Sequence, residues 1–187
     1  NEIKQKQARE LDEDFFEDLG MEGVNSEETL KEEIKNSIKA QKEMDAENNY
    51  IDKILEEVSK NVEVDIPEEM VEEEVNRLLG RFEEQMKMQG ISLQSYYQFT
   101  GSDEATLKSQ MEKEAYKNVL YRLMLEEVMN QEKIEVTDEE VEKEVEELAT
   151  KYQMDKEDFL KEFGGKEMIQ YDLEMRRVVE LLKEYNK

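Results

Sequence analysis

Apolar side chains recur along this chain at steps of three and four, the spacing that lines one face of an α-helix. Leu11 to Leu19 make a first short helical run, closed by Gly20, a residue suited to the left-handed turn that ends a helix. Asn25, followed three residues later by Glu28, has the form of a capping pair and opens a long helix. That helix carries Leu30, Ile34 and Ile38, then Ile51, Ile54, Leu55 and Val58. Its middle, around Asn48 and Asn49, is polar, which predicts a bend or an exposed span. Pro67 suits a first-turn position, where its missing N–H costs nothing, and Val71, Val75, Leu78, Phe82 and Met86 then fall on one face until Gly90. A short Tyr96, Tyr97, Phe99 segment stops at Gly101. Leu107, Met111, Ala115, Val119, Leu123 and Met124 mark the next helix, of about 29 residues or ~43 Å.

Thr137 and Glu140 form a capping box for a further helix carrying Val141, Val145, Leu148 and Tyr152, and a terminal helix is expected from about Lys166 to Tyr185. Two stretches are alike. Val62-Glu-Val64 followed by Val71, Val75 and Phe82 parallels Ile134-Glu-Val136 followed by Val141, Val145 and Tyr152. Each leads to a short aromatic segment, then glycine and a long helix. Two related helical arms are one reading, and chance similarity between Glu/Val-rich helices is the other. The fold class expected is all-α, an elongated multi-helix body with two protruding arms. Within a single helical domain over 1–187, residues 1–61 supply a linker, a short helix and a long body helix. Residues 62–133 make a first arm-like unit, and 134–187 a second arm-like unit with the terminal helix.

Composition sharpens this picture. With one proline and seven glycines in 187 residues, the usual punctuation of strands is nearly absent. Charged residues (41%) outnumber hydrophobic ones (37%), yet the regular spacing of the latter argues for order. The 51 acidic and 26 basic residues give a net charge of −25, which repels phosphate backbones and anionic lipid, so neither nucleic acid nor membrane is an expected partner. No stretch approaches the ~18 consecutive apolar residues that span a bilayer. The same charge favours solubility, a monomer or weak self-association, and attraction of positively flanked polypeptides. The chain starts at Asn1 without a leader and reads as a piece of a longer protein.

There is no His and no Cys. A nucleophile triad, a zinc site of ordinary type and a di-iron bundle motif therefore lack their ligands, and a cytoplasmic location suits the absent thiols. Neither cofactor nor metal is expected. Asp12-Glu-Asp14 starts like a calcium loop, but Glu17 stands where that loop requires glycine. Gly164-Gly165 most simply ends one helix and permits a turn, and no phosphate-cradling glycine motif occurs.

The apolar set is soft: eleven Met, six Phe and no Trp. Unbranched thioethers adapt to varied shapes and serve both promiscuous surfaces and cores. Met86, Met88, Ile91, Tyr97 and Phe99 near the breaks at Gly90 and Gly101, with Met154, Phe159, Phe163 and Met168 near Gly164, are the candidate polypeptide-binding residues. Side chains beside helix breaks are expected to be less enclosed than mid-helix Val75 or Val145.

From Val62-Glu-Val-Asp-Ile-Pro-Glu-Glu-Met-Val through Leu78-Leu-Gly-Arg-Phe82, then Gly90-Ile-Ser-Leu-Gln-Ser-Tyr96 and Gly101, the sequence resembles the C-terminal domain of the bacterial trigger factor family. Asn1-Glu-Ile-Lys-Gln-Lys with Glu10-Leu-Asp-Glu-Asp-Phe15, and Ile134-Glu-Val-Thr-Asp-Glu-Glu-Val141, extend the resemblance over essentially the whole chain. It implies a cradle of two arms that holds nascent or unfolded polypeptide without ATP, and no enzyme in this segment. The family's Gly-Phe-Arg-x-Gly-Lys ribosome-docking loop and its FKBP-like prolyl isomerase domain have no counterpart in these residues, which assigns both roles to N-terminal parts of the parent protein. Helical domains of SurA-type periplasmic chaperones are a weaker likeness. Two other readings stay open at this stage: a helical spacer or self-assembling coiled coil, against which the broken stripes argue, and an enzyme working through carboxylates.

Overall fold

The computed structural model describes residues 11–186, and among these the regular structure is eight α-helices with no strand. They are α1 (Glu13–Leu19), α2 (Glu27–Ser59), α3 (Glu68–Met88), α4 (Leu93–Thr100), α5 (Glu104–Glu132), α6 (Asp138–Tyr152), α7 (Lys156–Glu162) and α8 (Gly165–Tyr185). The chain divides into two compact units, with the division inside α2 at residues 52 and 53.

In the N-terminal unit, the Asp12 side chain accepts from the Phe15 amide at 2.9 Å, and Gly20 closes α1 in the left-handed conformation. The capping residue of α2 differs from the expected Asn25. Ser26 Oγ accepts from the Thr29 amide at 3.2 Å, and Thr29 Oγ1 accepts from the Ser26 amide at 3.0 Å. A hydroxyl three residues before another hydroxyl satisfies both orphan amides as well as an Asn/Glu pair would. α2 runs unbroken through Asn48 and Asn49, and residues 41–50 are all exposed, so the polar middle marks a solvated span.

In the larger unit, Pro67 stands at the N-cap of α3, one residue before the first turn. α3 packs against α5, α5 against α8, and α8 against α6 and α7. Val75, Leu107, Ala115, Val119 and Met124 are buried on α3 and α5. A second cluster gathers Val141, Val145 and Ala149 of α6, Phe159 of α7 and Ile169 of α8. The Thr137–Glu140 capping box is present in full: Thr137 Oγ1 accepts from the Glu140 amide, and Glu140 Oε2 accepts from the Thr137 amide at 2.9 Å.

The two similar stretches end alike. At the close of α3, the Gly90 amide donates to the Lys87 carbonyl and the Ile91 amide to the Met86 carbonyl, each at 2.9 Å. At the close of α6, the Gln153 and Met154 amides donate to Thr150 and Ala149 in the same pattern, at 3.1 and 2.9 Å. Both are Schellman turns, in which the residue after the left-handed position packs back on the helix. α3 has 21 residues and α6 has 15, so the first copy carries nearly two extra turns before the same ending.

Candidate functional site

The Schellman turn of α3 and the short α4 build one end of the α3–α5 pair. The chain reverses at Gly90, Ser92 Oγ caps α4 by accepting from the Ser95 amide at 3.1 Å, and Gly101 ends α4 in the left-handed region. Phe82 meets Tyr96 edge to face with centroids 5.2 Å apart, and this contact seats α4 on α3. Met88 and Phe99 project away from that seat, 83% and 91% exposed. Ile91 is exposed and Met86 half-buried, and the Ile91 N–H bond to the Met86 carbonyl ties the two into the turn. The Tyr97 ring is half-buried. Its hydroxyl is shut off from solvent and makes no hydrogen bond among the described residues. Burial, reinforced by Glu104, Asp103 and Glu83, pushes this phenol above its ordinary range.

The second group separates differently. Phe163 and Met168 are exposed, whereas Phe159, 1% exposed, belongs to the core, a correction to its expected place on a binding surface. Its ring stacks on Phe163 at 4.4 Å and lies 6.2 Å from Tyr152, facing inward among Val145, Ala149 and Ile169. Position beside a helix end does not fix which way a side chain turns; on two-turn α7, the one face toward α6 is the face that carries Phe159. Met154, the last residue of the α6 turn, is half-buried against the same cluster. The candidates thus form an exposed apolar end at Met88 and Phe99 and a separate patch at Phe163 and Met168.

Two grooves adjoin these elements. One, about 630 Å3 in volume, lies between α3 and α5, where Ile66, Val71, Val75 and Tyr116 offer apolar surface beside Glu72 and Glu112. The other, of similar volume, runs where α3, α5 and α8 meet and has Met70, Leu123 and Met168 on its walls, together with Arg122 and Tyr171.

Three polar residues on these helices, two of which bond across them, escaped the sequence reading. Glu74, 3% exposed, accepts from the Asn118 amide nitrogen of α5 at 3.0 Å and is paired with Arg77 and, at 3.6 Å, with Arg81. Tyr171 of α8 donates its hydroxyl to Glu126 Oε1 of α5 at 2.7 Å. Arg122 lines the three-helix groove. The sequence signal was position: Glu74 falls three after Val71 and four before Leu78, and Arg122 three after Val119, inside the apolar stripes.

Burial first, and then Glu126, pushes the Tyr171 phenol up to about 12. An unfolded chain loses this proton near its ordinary value of about 10. Between those values the unfolded form has ionised and the folded form has not, so the stability supplied by the bond is complete below pH ~10 and falls as pH rises toward 12. Tyr171→Phe is expected to lower stability at pH 7 by about 1 kcal/mol, with the gap to the parent chain closing above pH 10. Thermal melts of both across that range are the measurement; parallel curves would mean that Tyr171 does not contribute to the alkaline loss.

Among the described residues, no group of three or more acidic side chains is arranged to hold a metal ion, and no helix is long and apolar enough to cross a membrane. The family model described as bacterial trigger factor protein (TF) C-terminus matches residues 26–184. The chain is 40% identical to the trigger factor of Anoxybacillus flavithermus over 187 residues, all of this chain and 44% of that protein. It is 37% identical to the trigger factor of Bacillus subtilis over 184 residues, 98% of this chain and 43% of that protein. The chain therefore spans less than half the length of these relatives. A solved structure of trigger factor domains from Thermotoga maritima superimposes with a TM-score of 0.51 at 23% identity, covering 72% of this chain and 80% of that one, a likeness of fold.

Proposed function

We propose that this chain, which belongs to the bacterial trigger factor family and corresponds to its C-terminal region, holds unfolded or nascent polypeptide reversibly and without ATP. The observation that carries this reading is the exposure of Met88 and Phe99 at one end of the α3–α5 pair, on a chain with a net charge of −25. Large apolar side chains at the ends of α3 and α4, with a phenylalanine almost wholly in water, cost solubility and contribute little to the fold. They suit transient contact with greasy segments. The acidic surroundings keep copies of the chain apart while the patches stay available.

The α3–α5 groove and the Phe163–Met168 patch add further weak contacts. Several such contacts along one extended client give useful affinity with rapid release. We assign prolyl isomerisation and ribosome docking to other segments of the whole protein, and take 62–133 and 134–187 as two arm-like units of the holding surface.

The test is suppression of light scattering as an unrelated protein unfolds in the presence of the purified chain. Suppression without nucleotide is expected. The Met88→Ser/Phe99→Ser double variant is expected to require about three times as much chain while melting within about 1 kcal/mol of the parent. Absence of any suppression by the parent chain would refute the proposal, and full suppression by the double variant would move the client surface elsewhere.

A further inference from the structure

The groove where α3, α5 and α8 meet differs chemically from the rest of this acidic surface. Of the five arginines among the described residues, Arg77, Arg81, Arg176 and Arg177 each pair with a carboxylate, and Arg122 has none within ion-pair distance. Arg122 is half-buried, on the stripe of α5 that also buries Ala115 and Val119. Two acids line the same groove, and neither is within ion-pair distance of Arg122. Glu126 receives the Tyr171 hydroxyl at 2.7 Å, and Glu167, on the first turn of α8, lies back against Gly165, where the helix N-terminus favours a negative charge. Arg77 is committed to buried Glu74. This leaves the donors of one planar cation facing a groove of about 630 Å3 whose other walls are Met70, Leu123 and Met168.

Guanidinium donors form a fork that matches a carboxylate, and the match strengthens where water is partly excluded. We propose that this groove is a subsite for an acidic side chain in a client segment, held by Arg122 while the client's flanking apolar residues lie on Met70, Leu123 and Met168. The proposal rests on the holding function above and extends it: a surface of net charge −25 would otherwise turn such segments away, and one unpaired arginine set in an apolar groove admits them. A side-chain carboxylate within a segment, and not a chain terminus, fits walls that offer apolar surface from three different helices around the cation, because neighbours on both sides of the acid then find partners.

The test uses the whole chain and fluorescein-labelled leucine-rich peptides, blocked at both ends and identical except for a central Glu or Gln. A third peptide carries the central Gln with a free terminal carboxylate. Anisotropy titration is expected to give about three- to tenfold tighter binding of the Glu peptide than of the blocked Gln peptide. The preference is expected to disappear in Arg122→Gln, to persist in part in Arg122→Lys, and to shrink with added salt in the parent chain. Melting curves check that both variants fold; should Arg122→Gln not fold, Arg122→Lys and the salt series still decide. Equal binding of the Glu and blocked Gln peptides overturns the subsite and leaves the holding function standing, as does a preference that survives in folded Arg122→Gln. A preference confined to the free-ended peptide replaces the side chain with a chain terminus. Failure of all three peptides to bind removes the holding function and the subsite together.

Discussion

Phe159→Ala is expected to destabilise the α6–α8 cluster by about 3–5 kcal/mol, the cost of emptying a phenylalanine site in a packed core. The ring is fully buried, stacks on Phe163 at 4.4 Å and touches the cluster that α6, α7 and α8 share. α7 is only seven residues long, and Phe159 is its one fully buried side chain, with Leu160 packed beside it against the same cluster. Loss of the ring is expected to release α7 as well as to leave a cavity. Denaturant unfolding gives the measurement, with Phe99→Ala as the control, since that side chain is almost wholly in water and its removal is expected to cost below about 0.5 kcal/mol. Similar losses for the two would mean that Phe159 is not the centre of its cluster.

The second large effect is expected at Glu74. Glu74→Ala removes the acceptor for the Asn118 side chain across the α3–α5 interface and leaves that amide without its partner at a buried position, at a cost of about 1–3 kcal/mol. Arg77 and Arg81 are more than half exposed and regain water, so the loss falls mainly on the interhelical bond. A double-mutant cycle with Asn118→Ala isolates it. A coupling energy of about 0.5–3 kcal/mol is expected, and additive single effects would show that the bond contributes nothing.

The two sites illustrate what sequence reveals about such a chain. Helix identity and extent were legible because the apolar period is regular and because Gly20, Gly90, Gly101 and Thr137 have local chemistry that ends or starts a helix whatever surrounds it. The α5 span of 29 residues and the capping box of α6 followed from those signals. Side-chain direction on short elements was not legible. Phe159 and Phe163 sit four apart on and just after α7, one enclosed and the other exposed, because the packing of α6 and α8 covers the first and not the second. Glu74 was hidden for a compositional reason: among Glu72, Glu73 and Glu74 the letters are the same, and only the position relative to Val71 and Leu78 distinguishes the buried one. Asn25 and Ser26 were exchanged because both are good caps and the next turn chose between them.

In the larger unit, α6, α7 and α8 pack among themselves and α3 packs on α5 across the short α4, while α5 with α8 joins segments farther apart along the chain. Contacts between segments close in sequence require little loop-closure entropy before they form, the arrangement associated with rapid folding. The α3–α5 hairpin is complete in sequence before α6 begins, so during synthesis it can assemble while the remaining helices are still unmade.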